Sequence, residues 1–204
     1  MYCSFNNAYK INPQMFDVWM RILQRVPGSV LWLQGGGQEK VKENLRKEAS
    51  ARGVDPARLV FAVKLESMEE HLARHRVADV FLDTLPFNAQ TTAVDALWAG
   101  LPVLTCMGES IFARMAGSVL MALELPELVT RDWPEYEAQA VRVGLEKGYA
   151  KSLKEKLERN RVDAPLFDTQ RLTHNMERAY EQMHHRVQQG LEPQAFEVQA
   201  SYAA

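Results

Sequence analysis

The chain has 204 residues, 47% hydrophobic and 25% charged, which is enough apolar mass for a packed core and is inconsistent with a disordered chain. A net charge of -2, a pI near 6.2 and scattered Lys and Arg argue against a nucleic-acid-binding surface. Two distant cysteines, Cys3 and Cys106, with no secretory apolar region and no run near the ~20 residues of a membrane span, argue against a disulfide framework, a zinc site or an inserted helix. A soluble protein of the reducing cytoplasm is expected.

The first residues, MYCSF, read as a strand with no lead-in, as expected of a piece of a longer protein. A polar loop, NNAYKI, follows, and then NPQMFDVWMRILQRV. Asn12 is a good helix N-cap, Pro13 fits the first helical position, and Phe16, Trp19, Met20 and Leu23 recur at helical spacing. After the breaker PGS, SVLWLQ reads as a strand ended by Gly35 to Gly37, a triplet without the lysine and Ser/Thr of a P-loop or the spacing of a dinucleotide fingerprint.

A polar helix up to Gly53 and the strand LVFAV come next. Ser67, three residues before Glu70, has capping-box spacing and starts a third helix that runs into the strand DVFLDT. The stretch FNAQTTAVDALWAG opens a fourth helix, PVLT is a further strand, and a long helix is expected from about Glu109. From about Trp133 only helices are expected, packed on the sheet or reaching to a neighbouring domain. The domain then spans 1–188, with 189–204 as a tail lacking any period. Alternation of helices with strands that are continuous apolar runs predicts an α/β fold: a Rossmann-like parallel sheet covered on both faces.

In such a sheet ligands bind beyond the carboxyl ends of the strands. Thr91 and Thr92 fall there, at a helix start whose unpaired N–H groups and partial positive charge suit a phosphate, and Asp95, one turn on, could accept from a ribose diol. The same T-x-x-D spacing is equally that of a capping box with no ligand at all. Lys10, after the first strand, is a second phosphate contact or a solvated loop lysine. His71 and Arg74 share a helix face. His75, His184 and His185 lack partners at metal-ligand spacing, so no metal is assigned, and no motif for a covalent nucleophile occurs.

Taken in order, FNNAYKI, PGSVLWL, EEHLARHRVADVFLDTLPFNAQTTAVDALWAGLPVLT and GESIFARMAGSVL resemble the C-terminal half of the catalytic region of O-linked N-acetylglucosamine transferases, the family that includes SPINDLY proteins and bacterial proteins with tetratricopeptide repeats. The resemblance runs from about Tyr2 to about His185. It implies the C-terminal domain of a GT-B glycosyltransferase, followed by C-terminal helices. That domain would hold UDP-N-acetylglucosamine for inverting transfer to Ser/Thr hydroxyls of proteins, with no metal or other cofactor.

By the same resemblance, Asn7 and Lys10 face the diphosphate, Lys10 being catalytic. Thr91 and Thr92 bind the diphosphate, Asp95 holds the ribose, and His71 and Arg74 lie at the nucleotide, His71 near the uracil. The acceptor would be recruited through an N-terminal catalytic half and tetratricopeptide repeats that these residues do not include, so the chain alone is expected to be inactive. Three positions depart from the human-type pattern: Asn7 stands for a glutamine, Gln90 for a histidine beside the diphosphate, and Met68 for a lysine near the uridine. Losing two potential cations weakens the site for a diphosphate. A degenerate, non-catalytic nucleotide-sugar sensor and an interaction module with an empty cleft are therefore kept as alternatives.

Overall fold

The computed structural model describes residues 1–35 and 39–198, so Gly36 and Gly37 of the glycine triplet and the end of the tail lie outside the described residues. Six parallel strands form the sheet: β1 (Tyr2–Ser4), β2 (Leu31–Gln34), β3 (Leu59–Ala62), β4 (Val80–Leu82), β5 (Val103–Cys106) and β6 (Val129–Thr130). Their order is β3-β2-β1-β4-β5-β6. β1 is central, with Tyr2 in register with Leu31 on one side and Val80 on the other. β1, β4 and β5 are buried along their whole length, as their unbroken apolar runs predict, whereas the outer strands β2 and β3 are only partly covered.

The helices are α1 (Pro13–Arg25), α2 (Glu39–Ala51), α3 (Met68–Arg74), α4 (Thr91–Trp98), α5 (Met115–Ala122), α6 (Trp133–Leu145), α7 (Lys147–Asp163) and α8 (Thr169–Gln188). The connections β1 to β3 step one way across the sheet and β4 to β6 the other. Right-handed crossovers therefore put the two sets of helices on opposite faces. α1 forms as expected: Asn12 Oδ1 accepts from the Met15 N–H at 2.9 Å, Pro13 opens the helix, and Met15, Phe16, Val18, Trp19, Met20, Ile22 and Leu23 are buried. The Trp19 indole donates to Tyr136 Oη at 3.3 Å, joining α1 to α6 inside the core.

One expectation is corrected and two further features are added. The long helix from Glu109 is instead a single 3-10 turn, Ile111–Ala113, and then the eight-residue α5. Ser110 caps that turn by accepting from the Ala113 N–H at 3.2 Å, and Glu124, at a φ of 56°, stops α5. The helical stretch from Trp133 breaks at Glu146, whose ψ of 88° is not helical, giving α6 and α7. A sixth strand, β6, went unread because two residues carry no periodicity. It is specified by its pairing of Val129 and Thr130 with Thr105 and Cys106.

α8 has no buried residue. Leu172, Met176, Tyr180, Met183 and Val187 recur along it at four-, four-, three- and four-residue steps, and all are exposed, Val187 at 74%. Among the described residues no helix is long and apolar enough to cross a membrane.

Candidate functional site

The sheet changes its winding direction between β1 and β4, which is where an open α/β sheet leaves a crevice beyond the strand ends. Residues 5–12 form one lip. Residues 83–90 and the start of α4 form the other. A polar network joins them: Thr92 Oγ1 donates to Asn6 Oδ1 at 2.9 Å, and Asn6 Nδ2 donates to Thr84 Oγ1 at 3.0 Å and to Asp83 Oδ1 at 3.4 Å. Asp83 also accepts from the Ala89 N–H at 2.6 Å and from Thr105 Oγ1 at 2.6 Å, while Tyr136 Oη donates to its carbonyl at 3.0 Å. Burial drives the Asp83 carboxyl up to about 6, opposed by these donors and by the Lys10 charge.

Lys10 lies in the 3-10 turn Ala8–Lys10 of the first lip. Its ammonium donates to the carbonyl of Asn88 at 2.9 Å across the crevice and stands 4.5 Å from the centre of the Phe87 ring. Burial lowers its pKa and Asp83 raises it again. Asn7 is the N-cap of that turn, its Oδ1 accepting from the Tyr9 N–H at 3.4 Å, so its oxygen shapes the segment that carries Lys10.

Gln90 occupies the N-cap position of α4 and makes no side-chain cap. Thr91 and Thr92 are therefore the first two helical residues, and the capping-box reading of Thr92 and Asp95 is overturned: Thr92 spends its hydroxyl on Asn6. With no side chain spanning its first turn, α4 presents its N-terminal dipole and N–H groups, the arrangement that binds anions. Asp95, one turn on, is half-buried. Its charge is coupled to His71, which links α4 electrostatically to α3.

His71 and Arg74 meet as the shared face predicts. Arg74 Nη2 is 2.5 Å from His71 Nδ1, Nη1 donates to the Val63 carbonyl at 3.1 Å, and the guanidinium lies over Phe5 at 4.3 Å. Arginine can only donate, so Nδ1 of His71 is the acceptor and its ring proton sits on Nε2. Burial first, and then the Arg74 charge, lowers the His71 pKa against the pull of Asp95, which favours that neutral tautomer. Ser67 caps α3 as expected, accepting from the Glu70 N–H at 3.4 Å.

Lys64, Met68, His71 and Arg74, with Gln34, line a pocket of about 300 Å³ at the ends of β2 and β3. Gln34 also borders a smaller one of about 100 Å³ lined by Asn6, Asn7 and Phe61. Met68 is largely exposed on the rim, so the position where a cation was expected offers a thioether. Among the described residues no group of three or more His, Cys, Asp or Glu is arranged to hold a metal ion, and Cys3 and Cys106 are buried free thiols.

Sequence reasoning missed Asn6, Asp83, Thr84 and Asn88, the buried polar residues under the crevice. A signal was present, because polar residues directly after buried strands, Asn6 after YCSF and Asp83-Thr84 after VFL, are costly unless paired. Their partners, 77 and 78 residues apart, could not be read from spacing.

Residues 1–176 match the model of glycosyl transferase family 41. A UDP-N-acetylglucosamine–peptide N-acetylglucosaminyltransferase of Caenorhabditis elegans is 40% identical over 94% of this chain, and a probable one of Arabidopsis thaliana is 38% identical over 97%. This chain spans only 16% and 20% of those relatives. A solved mutant O-GlcNAc transferase of Thermobaculum terrenum superposes on 89% of this chain, with a TM-score of 0.83 and 33% identity, and this chain covers 35% of it. A crevice at the strand-order reversal, flanked by a lysine and an uncapped helix start, thus sits in a sequence that belongs to glycosyl transferase family 41.

Proposed function

We propose that this chain is the donor-binding half of an inverting glycosyltransferase that takes N-acetylglucosamine from UDP-N-acetylglucosamine to Ser/Thr hydroxyls of cytoplasmic proteins. The carrying observation is that the Lys10 ammonium of one lip bonds the Asn88 carbonyl of the other, in the loop that leads into the uncapped α4 start. As the sugar leaves, negative charge grows on the UDP diphosphate. In this reading Lys10 and the N–H groups and hydroxyl of Thr91 stabilise that charge. Asp95 serves as ribose acceptor, and neutral His71, with its Nε2–H free to donate, suits an uncharged base better than an imidazolium would. The acceptor hydroxyl comes from the substrate protein, the residues that activate it and the repeats that recruit it are assigned outside this chain, and this chain alone does not turn over.

Calorimetric titration with UDP tests this reading. The parent chain is expected to bind, and Lys10→Ala is expected to weaken binding about 10- to 100-fold, the range for removing a charge-assisted contact. Thr91→Ala/Thr92→Ala weakens it further, through loss of the Thr91 hydroxyl at the helix start and of the Thr92 bond that holds Asn6 across the crevice. Parent binding unchanged in these variants would refute the assigned site.

Two observations favour second readings. Gln90 and Met68 stand where the resemblance expects cations, which fits a nucleotide-sugar sensor that binds without transfer even with the remaining family segments present. The exposed apolar stripe of α8 fits an interaction module. Gln90→His that raises UDP affinity supports the first. Absence of UDP binding in both the parent and Gln90→His supports the second.

A further inference from the structure

We propose that Phe112 is a positioning residue for the Lys10 ammonium, acting through the loop at residues 85–90; this rests on the donor-site reading above. Both contacts that hold Lys10 come from two neighbours in that loop, the ring of Phe87 and the carbonyl of Asn88. Both of those neighbours are in turn held by Phe112. Its ring stacks on Phe87 with centroids 4.9 Å apart and planes 11° from parallel, and its carbonyl accepts from the Asn88 N–H at 2.9 Å.

The segment that presents Phe112 is itself fixed. Ser110 caps its turn, the Gly108 N–H donates to the Ala113 carbonyl at 2.9 Å, and a Cβ at Gly108 would meet Ala113 Cβ at 2.7 Å and Leu85 Cδ1 at 3.3 Å. The turn after β5 is therefore packed directly against the loop after β4. Phe112 is 49% exposed, so core packing does not account for its placement. Lys10 makes no ion pair among the described residues, so its position depends on a ring and a carbonyl, contacts that a moved loop would break.

The stack is the removable part of this arrangement, since any residue at 112 keeps the backbone carbonyl. Without its partner ring, Phe87 is free to turn away and the ammonium to swing into water. Phe112→Tyr preserves the stack. Phe112→Ala does not.

The test uses the intact chain, labelled with 13C at lysine. In the parent and in Phe112→Tyr, the Lys10 Cε protons are expected to be shifted upfield by the Phe87 ring, and in Phe112→Ala that shift is expected to vanish. UDP affinity should fall about 3- to 10-fold in Phe112→Ala, the range for losing an aromatic pair, and recover in Phe112→Tyr, while affinity for uridine, which lacks the diphosphate, stays unchanged. An unshifted Lys10 resonance in the parent, or a shift that survives in Phe112→Ala, would overturn the proposal, as would equal losses for UDP and uridine. If the parent binds no UDP, the donor-site reading fails, and the resonance still decides whether Phe112 positions Lys10.

Discussion

Asp83 couples the crevice to pH. A carboxyl whose pKa rises from 3.8 to about 6 on folding binds a proton more tightly folded than unfolded. Its contribution is thus greatest below about pH 4 and is lost as pH climbs through about 6. The difference corresponds to roughly 3 kcal/mol for a fully buried group. Urea unfolding of the parent and of Asp83→Asn between pH 4 and 7 checks this: the parent should lose stability relative to the variant as pH rises, and parallel curves would show that Asp83 titrates normally. The Ala89 N–H and Asn6 Nδ2 both donate to Oδ1, an acceptor that Asp83→Asn keeps, whereas Thr105 donates to Oδ2, which the variant replaces with an NH2, so the lips should stay joined while the Thr105 contact is lost. The placement of Lys10, Thr91 and Asp95 beyond the strand ends and the meeting of His71 with Arg74 were legible in the sequence, because each is a residue type in a recognisable place. Asp83 and Asn6 were not, because their meaning lies in each other.

At the scale of elements, α1 and α6 depend on Gly144. A Cβ there would fall 2.1 Å from Tyr2 Oη and 2.8 Å from Val26 Cγ1, and Tyr2 Oη is committed to the Ala140 carbonyl at 2.8 Å. Gly144→Ala should therefore cost about 1–3 kcal/mol by overpacking, despite the usual gain from alanine in a helix. Thermal melting measures it, and a stabilised variant would mean that α6 has room to shift. The helices with caps and apolar stripes, such as α1, were readable because local chemistry specifies them. The segment after Glu109 misled because its apolar pattern is helical throughout, whereas its course is set by a capping serine, a left-handed Glu124 and the docking of Phe112 on Phe87.

Across the whole molecule the parallel sheet was implied by the alternation of elements, while its strand order came only with the structure, and α8 follows a different logic. Its half-buried positions include Arg171, Asn175 and Ala179, while its apolar residues face outward. It therefore adds little to the stability of the sheet domain. A chain ending at Asp168 should unfold in urea within about 1 kcal/mol of the parent, and a larger loss would show that α8 supports the fold.

The central place of β1 also governs how the crevice comes into being. β1 pairs with β2 across a short stretch of chain, Tyr2 with Leu31, and with β4 across a much longer one, Tyr2 with Val80. Thr92 reaches Asn6 across 86 residues. Closing the longer loop costs about 1 kcal/mol more in chain entropy than closing the shorter one, so the edge between β1 and β4 is the costlier of the two to join. The crevice thus exists only where the two halves of the sheet meet, along the edge between β1 and β4.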